Sequence, residues 1–421
     1  MLSMPRAAAP GPRPSPDAAY SQWINACTAA GWRGTPAAER VPVRDGLGRV
    51  TTAPVRARWP APRFASAAMD GIAIKAGPAE QVGVWQLDAS SFAWVDTGDP
   101  IPAGLDTVVE RERVQSGADG SAQITGPAPR RLNVRATGED FPAGELLIPA
   151  GHRLRPADLA GAAAAGHATL EVARRPAAAI IPTGDEIRPA GSALAPGDVT
   201  DSNSFLLAAR VEETGARPLV SDVQPDDPDA IAAEIRRTAL AADLVLVIAD
   251  SSAGRSDHTA AVMARVGGLA VRGVAVRPGH PVLLGYALPE QARAAGGATA
   301  VPVIGIPGYP LAAAVISELF AVPLIAALQG RDPADRVWQR AQLACDWVSS
   351  PDVEDWVPVS LAAAPAGGNS GCPIVATPGR RGAGSISRLM RAHAWWPIPI
   401  GKGKFARGEL IDVQPISRGS P

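Results

Sequence analysis

The chain has 421 residues, which at roughly 150 residues per domain suggests about three domains. Its 40 basic and 41 acidic residues leave a formal net charge of −1, so no global field draws in nucleic acid or an anionic membrane surface. Cys27, Cys345 and Cys372 form an odd, scattered trio without a CxxC, which argues against a disulfide framework or structural zinc and fits a reducing cytosol.

Aromatics are only 5 %, so the cores are expected to be aliphatic, and Gly 43 with Pro 42 implies many turns. Residues 1–18 read as a disordered tail, Ala/Pro-rich and without the apolar stretch of a secretory signal. No uninterrupted run of about 18 apolar residues predicts a membrane span. A helix is expected over 17–30, with Tyr20, Trp23, Ile24 and Cys27 on one face. Segments 19–68 and 151–175, the latter with an alanine-rich helix from Pro156, read as a helical linker domain. Between them, 69–150 carries short apolar runs at 82–87, 107–114 and 146–148, punctuated by Gly and Pro, and reads as a β-rich domain.

From 176 to 330 strands alternate with helices. Strands are expected at 177–181, 219–223, 244–249 and 301–306, and helices at 205–214, 228–241, 258–266 and 311–328. Such alternation implies βαβ units and a central, doubly wound parallel sheet. Residues 331–421 return to short strands and hold Trp338, Trp347, Trp356, Trp395 and Trp396, which suggests a small C-terminal β-barrel with an aromatic core or rim. The expected class is therefore α/β plus β modules in a multidomain chain.

Each distinctive motif of the α/β segment follows a strand. They are Thr183-Gly184-Asp185-Glu186, Asp226-Asp227, the run from Asp250 through Ser251, Ser252 and Gly254 to Asp257, Arg277-Pro278-Gly279-His280, and Pro307-Gly308-Tyr309-Pro310. In open parallel sheets ligands bind beyond the carboxyl ends of the strands, so these residues are expected at one edge. A Ser/Gly loop entering a helix suits a phosphate, and Arg277 adds positive charge. Glu186, Asp226 and Asp257 would repel that anion unless a hard cation such as Mg²⁺ lies between them. The combination points to metal-assisted chemistry on a phosphoryl compound. Each motif alone has a plainer reading: Asp201 and Asp227 as helix caps, Pro307-Gly308-Tyr309-Pro310 as a turn, His280 as a loop residue.

Met69-Asp70-Gly71 with Ile72-Ala73 resembles the MDGYA signature of the molybdopterin molybdenumtransferases, the MoeA and gephyrin E-domain family. Thr97-Gly98-Asp99-Pro100-Ile101-Pro102 with Asp106-Thr107-Val108-Val109 is similar to that family's TGxPxPxGxDxVV motif. Gly138-Glu139-Asp140, Thr183 to Glu186, Asp201-Ser202-Asn203, Ser252-Ala253-Gly254 with Asp257, Pro278-Gly279 and Pro307-Gly308 follow in the family's order.

The resemblance implies an elongated homodimer that completes molybdenum cofactor synthesis in the cytoplasm. It implies adenylylated molybdopterin and molybdate as substrates, Mg²⁺ as metal, and AMP as a product. A molybdopterin adenylyltransferase and recipient molybdoenzymes are the implied protein partners. It places Asp70, Asp140, Glu186, Asp226 and Asp257 in catalysis, the last three as metal ligands. Thr97, Thr183, Gly184, Asp185, Asp201, Ser202, Asn203, Ser251, Ser252, Gly254, Pro278, Gly279, Pro307, Gly308 and Pro310 would bind substrate. Arg277, His280, Ser387 and Arg388 would face the oxyanion. The chain departs from the family where Ala249-Asp250 replace Gly-Gly, where Arg277 and His280 replace two lysines, and where Tyr309 replaces Asn. Two functions follow: a molybdenum or tungsten insertase, or a paralogue that holds the pterin for delivery or regulation.

Overall fold

The computed structural model describes residues 13–34, 37–76, 83–249, 255–289, 300–333, 336–364, 374–379, 382 and 384–416, with the backbone alone at 255–257. They form two units, Met1–Ala37 with Arg174–Pro421, and Ala38–Ala173.

The first unit is built on a six-stranded sheet. Its spatial order is Arg217–Val220, Ala177–Pro182, Leu244–Ala249, Val301–Pro307, Leu283–Ala287 and Gly267–Arg272; the first four run parallel, and each of the last two pairs antiparallel with the strand before it. Ala177–Pro182 and Val301–Pro307 are buried along their whole length, as strands covered on both faces must be. Leu207 and Val211 of helix Asn203–Glu213 pack on one face together with the long apolar helix. Ile231 and Ile235 of helix Pro228–Ala239 and Val262 and Met263 of helix Arg255–Val266 cover the other. The sheet is doubly wound, as expected, with two antiparallel strands added at one edge.

The long apolar segment is helix Pro310–Ile316, a π turn Ser317–Ala321 and helix Val322–Leu328. Pro323 has no N–H to donate back to Leu319, and the π turn just before it absorbs that break. By length and composition these 19 residues could cross a membrane, yet they are almost wholly buried inside this unit. Glu318, the charge within the run, is buried against Arg210 at 2.6 and 2.9 Å.

The first helix, expected over 17–30, spans Pro16–Ala29. It starts at Pro16, where Ser15 Oγ accepts the Ala18 N–H at 3.3 Å, so the expected tail over 1–18 ends earlier. It packs on the α/β sheet rather than joining a linker domain. Trp23 is fully buried, donates Nε1–H to the Gly285 carbonyl at 2.6 Å and meets Phe320 edge-on. An indole finds its acceptor where the sheet offers one: the register of this strand slips beside Gly285, between Leu269 and Val271.

The C-terminal strands Gln339–Leu343, Glu354–Ala363, Ile374–Pro378, Ala394–Ile398 and Leu410–Pro415 close into a five-stranded barrel. Its interior is mainly aliphatic, with Val357, Val359 and Ile398 beside Trp396. Trp356 and Trp395 point the other way, into the α/β core, because side chains alternate along a strand. Strand Val276–Arg277, expected within the α/β segment, pairs with Glu354–Asp355 and so belongs to the barrel sheet.

The second unit is β-rich, as expected of its central part. Gly71–Ile74 lies between Phe92–Val95 and Thr107–Glu110, all antiparallel. A Cβ on Gly71 would lie 1.9 Å from the Val109 carbonyl oxygen, so only glycine allows this close pairing. Ala38–Pro42 pairs with Thr169–Ala173, beside helix Pro156–Ala164.

Candidate functional site

Chain order places a topological switch between Ala177–Pro182 and Leu244–Ala249, since the connections from these neighbours leave in opposite directions. A crevice beyond their carboxyl ends is where open α/β sheets bind ligands. The first loop of that crevice is 183–186. Thr183 is buried and donates both its N–H and its hydroxyl to the Ile248 carbonyl, at 3.0 and 2.9 Å. Its hydroxyl thus knits the two strands together rather than facing the crevice. Gly184 has φ +142, and a Cβ there would meet Ile187 at 2.7 Å and the Glu186 carboxylate at 3.1 Å. Glycine is what lets Glu186 fold back over the strand end.

The 226 loop is tied to this one. Asp185 Oδ1 accepts the Asp226 N–H at 3.2 Å, and the Gln224 carbonyl accepts the Gly184 N–H at 3.1 Å. Glu186 and Asp226, both half-buried, therefore stand on joined loops. Asp227 is the cap of the following helix, its carboxylate accepting the Ala230 N–H at 2.9 Å. Asp201 does similar work, accepting the Ser204 N–H at 3.0 Å. Beyond Ser202, Asn203 donates Nδ2–H to the Gly308 carbonyl at 2.7 Å, joining a third loop. Among the described residues its Oδ1 is buried without a hydrogen-bond partner, as is the Ser204 hydroxyl. Pro307 closes its strand, Pro310 opens the next helix, and Tyr309 between them is exposed.

Ser251, Ser252, Gly254 and Asp250 lie outside the described residues, as does the Asp257 side chain. Among the described residues no group of three or more His, Cys, Asp or Glu side chains could hold a metal ion. Glu186 and Asp226 are the two described side chains of the expected metal set.

The expected oxyanion group is altered by the fold. Arg277 donates Nε–H to Asp355 Oδ1 at 3.1 Å and also binds Asp355 Oδ2, and this pairing holds its guanidinium even more firmly protonated. Asp355 Oδ2 accepts the Ser349 hydroxyl at 2.8 Å as well. The Arg277 charge is thus matched by a buried carboxylate from the barrel, and two of its donor positions are committed. His280 is exposed; partial burial of its ring, and then the charge of Arg13, push its pKa below the usual imidazole value. Gly279, φ +113, packs against Ile316, where a Cβ would meet the side chain at 2.8 Å. Ser387 and Arg388 lie on the short helix Ile386–Arg391; the Ser387 hydroxyl is 3.1 Å from that of Ser385, and Arg388 donates to the Gly382 carbonyl at 3.3 Å. That helix adjoins helix Pro310–Ile316.

In the second unit, Asp70 Oδ1 accepts the Thr97 hydroxyl at 2.6 Å and the Thr97 N–H at 2.7 Å. The hydroxyl first, then the N–H and the Arg111 charge, hold the Asp70 carboxyl below its ordinary range. Asp140 is exposed on the loop that follows strand Val134–Arg135. Motif reading passes over Asp355 and Ser349. A signal existed in Glu354-Asp355, two adjacent acids opening an otherwise apolar strand.

Three family models match the chain in order. They are MoeA N-terminal region (domain I and II) over 15–166, probable molybdopterin binding domain over 179–327, and MoeA C-terminal region (domain IV) over 340–416. A molybdopterin molybdenumtransferase 2 of Mycobacterium tuberculosis is 30 % identical over 337 residues, 73 % of this chain and 80 % of that protein. A molybdopterin molybdenumtransferase of Nostoc sp. is 31 % identical over 134 residues, 31 % of this chain; the match spans only 29 % of that protein's length. A solved structure of the molybdopterin biosynthesis MoeA protein from Pyrococcus horikoshii has a TM-score of 0.75 at 26 % identity, over 95 % of this chain and 99 % of its own. With that mycobacterial match over four fifths of the relative and three models in sequence, the chain belongs to the molybdopterin molybdenumtransferase family.

Proposed function

We propose that the chain is a molybdopterin molybdenumtransferase that takes adenylylated molybdopterin, releases AMP and inserts molybdate in the last step of cofactor synthesis. The observation that carries this reading is the switch-point crevice, whose three loops are joined by the Asp185–Asp226 and Asn203–Gly308 hydrogen bonds. Joined loops hold a bound pterin nucleotide in one geometry, which lowers the ordering cost of the reaction. Glu186 and Asp226 would hold Mg²⁺ there, with Asp257 as a third candidate. When bound, the ion neutralises phosphoanhydride charge and makes AMP a better leaving group. Asn203 Oδ1 supplies a buried acceptor beside the Gly308 turn. In the second unit the Thr97 hydroxyl and N–H hold the Asp70 carboxylate in its ionised form. Homodimeric assembly, cytoplasmic location, tungstate use and delivery to recipient molybdoenzymes belong to this proposal, as does supply by a molybdopterin adenylyltransferase.

One observation favours the second reading, a carrier that holds the pterin without inserting metal. Arg277 is engaged by Asp355, and His280 is biased toward its neutral form, so the cationic pair facing the oxyanion is weakened. Complementation of an insertase-deficient host, scored by molybdoenzyme activity at limiting molybdate, separates the two. Restored activity that is lost in Asp226→Asn supports the enzyme. Pterin binding without restored activity supports the carrier.

A further inference from the structure

A cleft of about 960 Å³ lies in the first unit and shares no residue with the strand-end site. Its walls come from the start of helix Pro16–Ala29, from Leu319 of the π turn with Pro323 beyond it, and from the barrel strands. Turns of this kind recur at ligand sites. Four acidic and two basic side chains line it, and Tyr20 and Trp338 give it ring surface. Trp338 leaves 49 % of its surface open to water.

One end of the cleft is particular in its chemistry. Glu354 Oε1 accepts the Trp356 indole N–H at 2.6 Å, which fixes the carboxylate and leaves its second oxygen for another donor. Burial first, and further the like charge of Asp17, hold the Glu354 carboxyl above its ordinary range, against the pull of the Trp356 hydrogen bond and of Arg336. Arg336 lays its guanidinium 5.6 Å from the centre of the buried Trp356 ring, so that ring is already paired and the exposed Trp338 is the aromatic face open to a further cation. Asp17 and Glu354 both line the cleft, and a positive charge bound beside them favours their ionised forms. The volume suits a ligand of ordinary small-molecule size.

We infer that this cleft binds a small organic cation, an amine carrying an aromatic or apolar body, with its charge met by Asp17 and Glu354 and its body laid on Trp338 and Tyr20. The reaction proposed above uses none of these residues, so the two readings fail separately.

Equilibrium dialysis of the full chain against phenethylammonium and against phenylpropionate tests this with one ring and opposite charges. The cation is expected to bind saturably and at least about tenfold more tightly than the anion, a difference of about 1.4 kcal/mol. Glu354→Gln keeps an acceptor for the Trp356 indole; it should weaken the cation about tenfold without weakening the anion. Asp17→Asn, on the exposed start of its helix, should act in the same direction while leaving the fold intact. Trp338→Ala should weaken both probes, by about threefold to tenfold. Equal affinity for the two probes, no saturable binding of the cation, or undiminished cation binding in the Asp17→Asn and Glu354→Gln variants would each overturn the inference.

Discussion

The Arg277–Asp355 pair predicts an asymmetry that a purely sequence-based role for Arg277 does not. The Asp355 side chain is 7 % exposed, whereas that of Arg277 is 39 % exposed. Arg277→Met therefore leaves a carboxylate buried with, among the described residues, the Ser349 hydroxyl as its remaining side-chain hydrogen-bond partner. Removing one member of a fully buried pair costs about 3–5 kcal/mol; solvent at the open side of this one reduces the expected loss to about 2 kcal/mol. Asp355→Asn is milder. It leaves an oxygen for Ser349 and Arg277, and a guanidinium that water can reach, so about 1 kcal/mol is expected. Arg277→Lys should fall between, because an ammonium cannot span both carboxylate oxygens. Urea unfolding followed by tryptophan emission measures the order, since Trp356 is the next residue along the strand and is buried. A larger loss in Asp355→Asn than in Arg277→Met, or losses under about 0.5 kcal/mol in both, would refute the clamp and return Arg277 to the oxyanion.

Trp23→Ala should cost about 3–5 kcal/mol and lower the thermal midpoint of the first unit, because a fully buried indole and its bond to Gly285 are both lost; a shift within error would contradict the packing described. Gly71→Ala should open the strand pairing in the second unit, by at least about 1–3 kcal/mol, seen as faster amide exchange at Arg111, whose N–H donates to the Asp70 carbonyl at 2.9 Å beside Gly71; unchanged exchange would mean the strand moves aside without penalty. His280 has a folded pKa below its unfolded value near 6.5, so the folded state favours the neutral ring. Its contribution to stability is present above that unfolded value and is lost as pH falls through the folded pKa, while any attraction to molybdate exists only at the acidic end. An NMR titration of its ring should give a midpoint below 6.5, and His280→Lys should remove the pH dependence of molybdate use; a midpoint above 6.5 would reverse both expectations.

Local pattern and composition were enough for much of this protein. Continuous apolar runs such as 244–249 and 301–307, separated by capped helices, determine a doubly wound sheet, because only strands covered on both faces carry such runs. The order of glycine, aspartate and proline motifs after those strands determines which loops meet at its edge. Gly71 and Gly184 are legible as glycines but not as close contacts, since the Val109 carbonyl and the Glu186 carboxylate reach them only in the folded chain. The first helix shows its apolar face in sequence, yet which sheet receives Trp23 was decided by the Gly285 carbonyl, more than two hundred residues away. The same holds for Arg277. Its type and spacing suggest an anion site, but strand Val276–Arg277 pairs with Glu354–Asp355, and that pairing sets a buried carboxylate against its guanidinium. Charge partners drawn from distant strands are a property of tertiary register, which no local pattern encodes.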